Sequence, residues 1–85
     1  MTVGYATSFV RQYKKLPAPL KVETKEKIAL FVSDPNHSFL KVHKLRGAFK
    51  RCYSMSVNYS YRIVFEYRGA ENVVLLAVGD HNIYQ

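Results

Sequence analysis

The sequence predicts an α+β domain in which an N-terminal helical hairpin packs on one face of a small, mainly antiparallel sheet. Apolar residues recur at helical spacing in the first 33 residues, and they alternate with polar residues from residue 49 onward. The apolar run Val73–Val78 then follows without alternation. These patterns are typical of amphipathic helices, half-buried strands and a central strand, respectively. We expect the element order βααβββ in one domain spanning residues 1–85, since a chain of this length builds a single core.

Two helices are expected in the N-terminal part. Thr7 and Ser8 are suited to cap the first helix, which ends before Pro17. A second helix is predicted over Leu20–Ser33, because the residue before the proline that follows disfavours helical backbone. The short connection makes the two helices a hairpin. A short strand near Val3–Ala6 is expected to precede them.

The alternation of polar and apolar residues predicts how the later strands pair. Phe49–Val57 and Tyr61–Arg68 are joined by the three-residue loop Asn58–Ser60, which places Ser56 opposite Arg62. Paired residues point to the same side of a sheet. The face toward the helices is expected to carry Tyr53, Met55, Val57, Tyr61, Ile63 and Phe65. The other face is expected to be an open polar surface with Lys50, Ser54, Ser56, Arg62, Glu66 and Arg68.

Positive charge is concentrated in one part of the chain. The sequence has 13 Lys and Arg against 6 Asp and Glu, a formal net charge of +7. No acidic residue occurs between Asp34 and Glu66, where the basic residues are Lys41, Lys44, Arg46, Lys50, Arg51 and Arg62. A focused positive surface is typical of proteins that bind polyanions. A surface that only keeps the protein in solution is the alternative interpretation.

The composition argues against several other classes of protein. Cys52 is the single cysteine, so it forms no internal disulfide, and we expect it to pack rather than act as a nucleophile. The three histidines and the few acids are scattered, so neither a metal site nor another cofactor is expected. The longest apolar run is too short to cross a bilayer, and the N-terminus lacks the apolar segment of a secretory signal. We therefore expect a cytoplasmic protein with no membrane contact.

Three strings stand out in the C-terminal half: LKVHKLRG (Leu40–Gly47), YRIVFEY (Tyr61–Tyr67) and AVGDHNIY (Ala77–Tyr84). In this order, after two helices, they resemble the RelE/ParE superfamily of type II toxin–antitoxin toxins, and the first string is similar to YafQ-like members. The resemblance covers nearly the whole chain and implies a RelE-like fold. It also implies a metal-independent endoribonuclease that cleaves mRNA in the ribosomal A site and is held inactive by an antitoxin.

The resemblance further implies which residues act. Arg62 falls on the family's strand arginine, His81 on a catalytic arginine or histidine position, and Tyr84 on the C-terminal aromatic position. His43 falls on the histidine of YafQ-like members. The residues expected to bind RNA are Lys41, Lys44, Arg46, Lys50, Arg51, Ser54 and Ser56. The expected partners are an antitoxin protein, mRNA and the ribosomal RNA around it.

These residue types suit RNA cleavage in which the 2′-hydroxyl attacks the adjacent phosphate. The guanidinium of Arg62 matches a phosphate, and the imidazole of His81 transfers protons near neutral pH. Tyr84 offers a ring for stacking on a base. The residues alone leave other roles open. Arg62 could instead pair with Glu66, the two histidines could be ordinary loop residues, and Tyr84 could cap the core.

Two other functions stay open on the sequence. A ParE-like inhibitor of DNA gyrase would share the fold, although such members generally lack the His and Tyr ending. A non-catalytic module that binds an antitoxin or RNA is the other. It would account for Ser54 and Ser56, which occupy positions where RelE-type members carry lysines.

Overall fold

The computed structural model of the chain describes residues 1–80. A five-stranded sheet forms one layer and two helices form the other. The elements are β1 (Thr2–Tyr5), α1 (Thr7–Lys14), α2 (Ala18–Ser33), β2 (His43–Lys44), β3 (Tyr53–Ser56), β4 (Arg62–Tyr67) and β5 (Asn72–Gly79). Short 3₁₀ turns at Ser38–Leu40 and Gly47–Phe49 lie in the connections on either side of β2.

The strand order is β1-β5-β4-β3-β2. β1 runs parallel to β5, and every other neighbouring pair is antiparallel. The predicted α+β class and the central position of the apolar strand are therefore confirmed. The predicted hairpin register is confirmed as well, since Ser56 pairs with Arg62 and Ser54 with Val64.

The core lies between the helices and the sheet face predicted to meet them. Phe31 of α2 packs on Phe65 of β4 with ring centroids 5.0 Å apart, and both side chains are fully buried. Met55, Val57 and Ile63 from the hairpin are fully buried in the same cluster. Burying an aromatic side chain of this kind removes apolar surface from water and fixes how α2 lies on the sheet.

The first helix begins differently from the prediction. Its N-cap is Ala6, and no side chain caps it, so the capping roles expected for Thr7 and Ser8 are wrong. The hydroxyl of Ser8 instead donates to the carbonyl of Leu76. The pairing of β4 with β5 shifts beside Val64, so that Leu76 has no partner in the ladder. A bulged residue leaves backbone groups unpaired, and the Ser8 hydroxyl satisfies one of them.

One strand was missed by the sequence analysis, which treated His43 and Lys44 as loop residues. These two residues form β2 and pair with Ser54 and Tyr53 at the edge of the sheet. A two-residue strand has no periodicity of its own. β2 forms because β3 presents an unpaired edge to it. The charged side chain of Lys44 then discourages another strand from pairing with β2.

Within residues 1–80, neither helix is long and apolar enough to cross a membrane. The same part of the chain contains no group of three His, Cys, Asp or Glu side chains that could hold a metal ion.

Candidate functional site

Arg62 begins β4 at the end of the sheet where the β3–β4 turn lies. It sits between Ser56 of β3 and Gly79 of β5. The next residue, Ile63, is fully buried in the core, so Arg62 points to the face away from the core, because successive strand residues alternate in direction. The side chain therefore leaves the strand on the face away from the core, at the end of the sheet.

Glu66, the acid that could have paired with Arg62, is engaged by another arginine. Glu66 accepts a hydrogen bond from the Nε of Arg68 at 2.9 Å, and the N-terminal amine lies 3.8 Å from Glu71. The alternative pairing of Arg62 with Glu66 is therefore wrong. Glu66 pairs with the other arginine of the same strand region, since their side chains lie on the same face two residues apart.

Arg62 lines a cleft of about 440 Å³ that we call the turn cleft. Its walls come from α2, the loop that follows α2, and the β3–β4 turn. The side chains that line it include those of Lys27, Phe39, Lys41, Asn58, Tyr59 and Arg62. Glu23 is the one acid among the residues that line it, against three cations. A concave surface with this charge balance attracts anions.

The floor of the turn cleft is held by Asn58. Its Oδ1 accepts hydrogen bonds from the backbone N–H groups of Ser60 and Tyr61 at 2.9 and 2.8 Å. Its Nδ2 donates to Oε1 of Glu23 at 3.1 Å, which ties the turn to α2. The Ser56 hydroxyl donates to the Asn58 carbonyl at 2.8 Å. The turn is thus fixed by its own side chains, as Asn in turns commonly allows.

The loop after α2 supplies the opposite wall. Leu40 is fully buried and anchors it, while the backbone at Lys41 has a positive φ of 48°. The backbone N–H of Phe39 donates to Nδ1 of His37 at 3.1 Å, and the two rings meet edge to face at 4.7 Å. The loop therefore presents Phe39 and Lys41 to the cleft from a fixed backbone.

His43 lies beside the turn cleft on the edge strand β2. Its Nδ1 is 3.1 Å from the carbonyl oxygen of Lys41. A carbonyl only accepts hydrogen bonds, so Nδ1 carries the proton and Nε2 is the basic nitrogen of the neutral ring. His43 is exposed and pairs with Ser54. Ser54 lies two residues before Ser56, which pairs with Arg62.

Two residues expected on the open polar surface are not open. Ser54 is fully buried, and Ser56 is only 7% exposed. The expectation of an accessible polar face is therefore wrong at both positions. Ser54 lies on β3, inside the sheet between β2 and β4. Ser56 still lines the turn cleft, but its hydroxyl is engaged by Asn58.

The structure places the predicted basic residues in three locations. Lys41 and Arg62 lie together in the turn cleft. Arg46, Lys50 and Arg51 are exposed around the 3₁₀ turn before β3, which is the opposite end of that strand from the β3–β4 turn. Lys44 lies on the exposed edge of the sheet.

The terminal part of the predicted site lies partly outside the described residues. His81 and Tyr84 fall there, so their convergence with Arg62 stays a prediction. The described end of the chain does reach Arg62. Gly79 pairs with it, and Asp80 lines a second cavity of about 600 Å³ together with Arg62.

Cys52 lies apart from this site. Burial, and after it the negative charge of Glu66, raises the pKa of the Cys52 thiol. A raised pKa lowers the thiolate fraction, and the thiolate is the nucleophilic form. This agrees with the expected packing role.

Three residues of the turn cleft were missed on the sequence. Phe39 and Tyr59 are 69% and 95% exposed, yet the sequence analysis gave them no role. A tyrosine at the tip of a tight turn has no core to enter, and that signal was available. Lys27 could not be assigned, because the face of α2 that borders the cleft is set by packing against β4.

Solved structures share this fold across almost the whole chain. YafQ from E. coli strain BL21(DE3) superposes with a TM-score of 0.78 at 15% identity, covering 96% of this chain and 94% of that one. A YoeB/ParE toxin from Agrobacterium tumefaciens gives 0.79 at 16% identity, with coverages of 95% and 99%. The RelBE2 toxin–antitoxin complex from Mycobacterium tuberculosis gives 0.68 at 22% identity, with coverages of 94% and 96%. No family model and no curated protein matches the sequence.

These likenesses define a class of fold, the α+β fold of type II toxin–antitoxin toxins. Within that class, the fold is RelE-like, and the similar structures include YafQ, a YoeB/ParE toxin and RelBE2. The predicted resemblance is confirmed as a resemblance of fold.

Proposed function

We propose that this chain is the toxin of a type II toxin–antitoxin system and acts in the cytoplasm as a ribosome-dependent, metal-independent mRNA endoribonuclease. The observation that carries the proposal is the position of Arg62. It opens into a cleft lined by three cations and one acid, and Glu66, the acid that could have paired with it, is paired with Arg68 instead. The similar structures are toxins or toxin–antitoxin complexes, which supports this choice.

In the proposed reaction, the 2′-oxygen of one nucleotide bonds to its 3′-phosphorus while the bond from phosphorus to the 5′-oxygen of the next nucleotide breaks. One proton leaves the 2′-hydroxyl and one is delivered to the 5′-oxygen, giving a 2′,3′-cyclic phosphate and a 5′-hydroxyl. Arg62 stabilises the charge that develops on the phosphorus oxygens. Removing such a group typically costs about 10²–10³-fold in rate.

His81 and His43 are proposed as the proton-transfer groups, each suited to act as acid or base near neutral pH. Positioned proton transfer typically contributes about 10²–10⁴-fold. The protonated Nδ1 of His43 supports the use of its Nε2 as a base. Tyr84 is proposed to stack on a base. Lys41 and Lys44 are proposed to contact neighbouring phosphates, and Arg46, Lys50 and Arg51 to contact ribosomal RNA.

The proposed protein partner is an antitoxin. Tyr5, Phe9, Val10, Tyr13 and Ile28 line an apolar groove of about 370 Å³ between β1 and the two helices, which we call the helix groove. Lys14 and Lys25 also line it. An amphipathic segment with acidic flanks fits an apolar groove with a basic rim. In E. coli, DinJ and YafQ form a toxin–antitoxin complex.

The test is induction in cells followed by mapping of mRNA 5′ ends. Wild-type protein is expected to arrest growth and to leave messages with new 5′-hydroxyl ends. Arg62→Ala and His81→Ala should relieve the arrest. Arg68→Ala is the matched control, since it removes an exposed arginine outside the cleft that is paired with Glu66.

Three outcomes would contradict the proposal. Equal toxicity of folded Arg62→Ala and wild type would remove Arg62 from the site. A DNA-damage response with intact mRNA would favour a gyrase inhibitor. Retained RNA affinity without cleavage, even on ribosomes, would favour a non-catalytic module, for which the absence of lysines at Ser54 and Ser56 is the supporting observation.

A further inference from the structure

We propose that Phe39 and Tyr59 are two base-stacking platforms of the turn cleft, and that the cleft takes single-stranded RNA with unstacked bases near the phosphate held by Arg62. This inference rests on the proposed function for the identity of the ligand. It adds two RNA-binding residues that the predicted catalytic set does not contain.

The Tyr59 ring has no structural use in the fold. It is 95% exposed, and among residues 1–80 no ring contact involves it, whereas Tyr53, Phe65 and Tyr67 form a cluster of mutual contacts. The ring is therefore free to stack on a ligand without breaking a contact of the fold. The turn that presents it is fixed by Asn58, so little backbone entropy is lost when a ligand binds.

Phe39 is presented from the other wall in a similar way. Its ring is 69% exposed while its neighbour Leu40 is fully buried. The backbone N–H and the ring of Phe39 both contact His37. The loop therefore buries its leucine as an anchor and leaves the phenylalanine ring at the surface, where it lines the same cleft as Tyr59.

The charges beside the two rings indicate a nucleic acid. Lys27, Lys41 and Arg62 line the cleft with them, and the single acid, Glu23, is tied to Asn58. A positively charged groove with exposed aromatic rings is how proteins bind single-stranded nucleic acids, because the backbone follows the charge and the bases stack on the rings. Bases inside a duplex are already stacked, so a double helix does not offer their faces to the rings.

The helix groove provides the contrast. Its aromatics contact one another, with Tyr5 and Phe9 centroids 5.6 Å apart and Phe9 and Tyr13 centroids 6.1 Å apart. No arginine lines it. Tyr5 is therefore the matched control, since it is also a half-exposed aromatic at the edge of a cavity, but that cavity is the helix groove and not the cleft that Arg62 lines.

The experiment measures binding of the full chain to a single-stranded RNA of about eight nucleotides. The RNA carries 2-aminopurine as the reporter base and 2′-O-methyl groups, which prevent cleavage. Stacking on a ring quenches 2-aminopurine fluorescence. Tyr59→Leu and Phe39→Leu are each expected to weaken binding about 5- to 100-fold and to reduce the quenching. Tyr59→Phe, which keeps the ring, and Tyr5→Leu should bind like wild type.

Several results would overturn the inference. They are wild-type affinity in both leucine variants, equal affinity of wild type for duplex RNA of the same length, or no binding of single-stranded RNA by wild type. An acidic peptide that binds the cleft with Tyr59-dependent affinity while RNA does not would assign the cleft to a protein partner instead.

This experiment separates the inference from the proposed function. If ring-dependent binding is found but induced protein leaves mRNA intact, the stacking platforms stand and the nuclease proposal fails. If mRNA is cleaved but both leucine variants bind RNA and cleave like wild type, the nuclease proposal stands and the platforms fail. Urea denaturation checks that the variants fold, and exposed positions are expected to change stability little.

Discussion

The turn cleft and the helix groove lie on different parts of one small molecule and differ in what they expose. The turn cleft has three cations, one engaged acid and two aromatic rings that the core does not use. The helix groove has aliphatic and aromatic walls with two lysines. The difference teaches that one helix, α2, can border two cavities of different chemistry, because Lys27 lines the turn cleft while Lys25 and Ile28 line the helix groove.

The largest expected effect comes from breaking the core contact that holds α2, the helix bordering both cavities, on the sheet. Phe31→Ala removes the fully buried ring that joins α2 to Phe65 of β4. We expect a loss of about 3–5 kcal/mol in the free energy of unfolding, measured by urea denaturation, because the cavity left behind collapses only partly. Phe39→Ala is the matched control and should cost less than about 0.5 kcal/mol, as exposed positions usually do. Equal losses would mean that Phe39 belongs to the core.

The next effect concerns the turn that shapes the cleft. Asn58→Ala removes three side-chain hydrogen bonds, two within the turn and one to Glu23. We expect a loss of about 1–3 kcal/mol in stability and weaker binding of single-stranded RNA, because Tyr59 is no longer held in place. Asn36→Ala, in an exposed loop position, should change neither quantity. Weaker stability with unchanged RNA affinity would separate the turn from the binding role.

A matched pair of charge reversals tests the two regions against each other. Lys25 and Lys27 are two residues apart on α2, yet the first lines the helix groove and the second the turn cleft. Lys27→Glu should weaken RNA binding. It should also make log affinity fall less steeply with log salt concentration, by the amount expected for the loss of about one or two phosphate contacts. Lys25→Glu should weaken antitoxin binding, mainly through slower association. Titrations at several salt concentrations measure both, and equal effects of the two variants on RNA would contradict the division.

Much of the fold was predictable, for local reasons. Helical and alternating periodicity is set by neighbours a few residues apart, so the class and the central apolar strand followed from the sequence. The hairpin register followed from the three-residue loop at Asn58–Ser60, since loop length fixes which residues pair. Arg62 was placed opposite Ser56 by the same argument, and the structure confirms that pairing.

The features that were missed depend on contacts between distant parts of the chain. β2 exists because β3 offers it an edge, and Ser8 turns to Leu76 because the β4–β5 ladder is irregular there. Ser54 is fully buried, although its alternation with apolar residues assigned it to the polar face. The membership of Lys27 in the cleft depends on how α2 lies on Phe65. None of these has a signature in a short stretch of sequence.

The smallest expected effect lies at Cys52, away from both regions. Burial and the charge of Glu66 raise the pKa of its thiol above the ordinary value of 9.0. The folded state therefore binds this proton more tightly than the unfolded chain. Its contribution to stability is fully present below pH 9.0 and is lost as the pH rises through the folded pKa.

The same shift sets the reactivity of the thiol. Alkylation requires the thiolate, so native Cys52 should react with iodoacetamide more slowly at pH 8 than the urea-unfolded chain does. Glu66→Gln removes the nearby negative charge, lowers the pKa and should increase the rate. A lower pKa raises the thiolate fraction but makes each thiolate less nucleophilic. The first effect is larger, because the logarithm of the thiolate rate constant changes by only about 0.4–0.5 for each unit of pKa. A native thiol that reacts faster than the unfolded one would indicate an activated nucleophile at Cys52. That result would move the proposed catalytic site from Arg62 to the thiol.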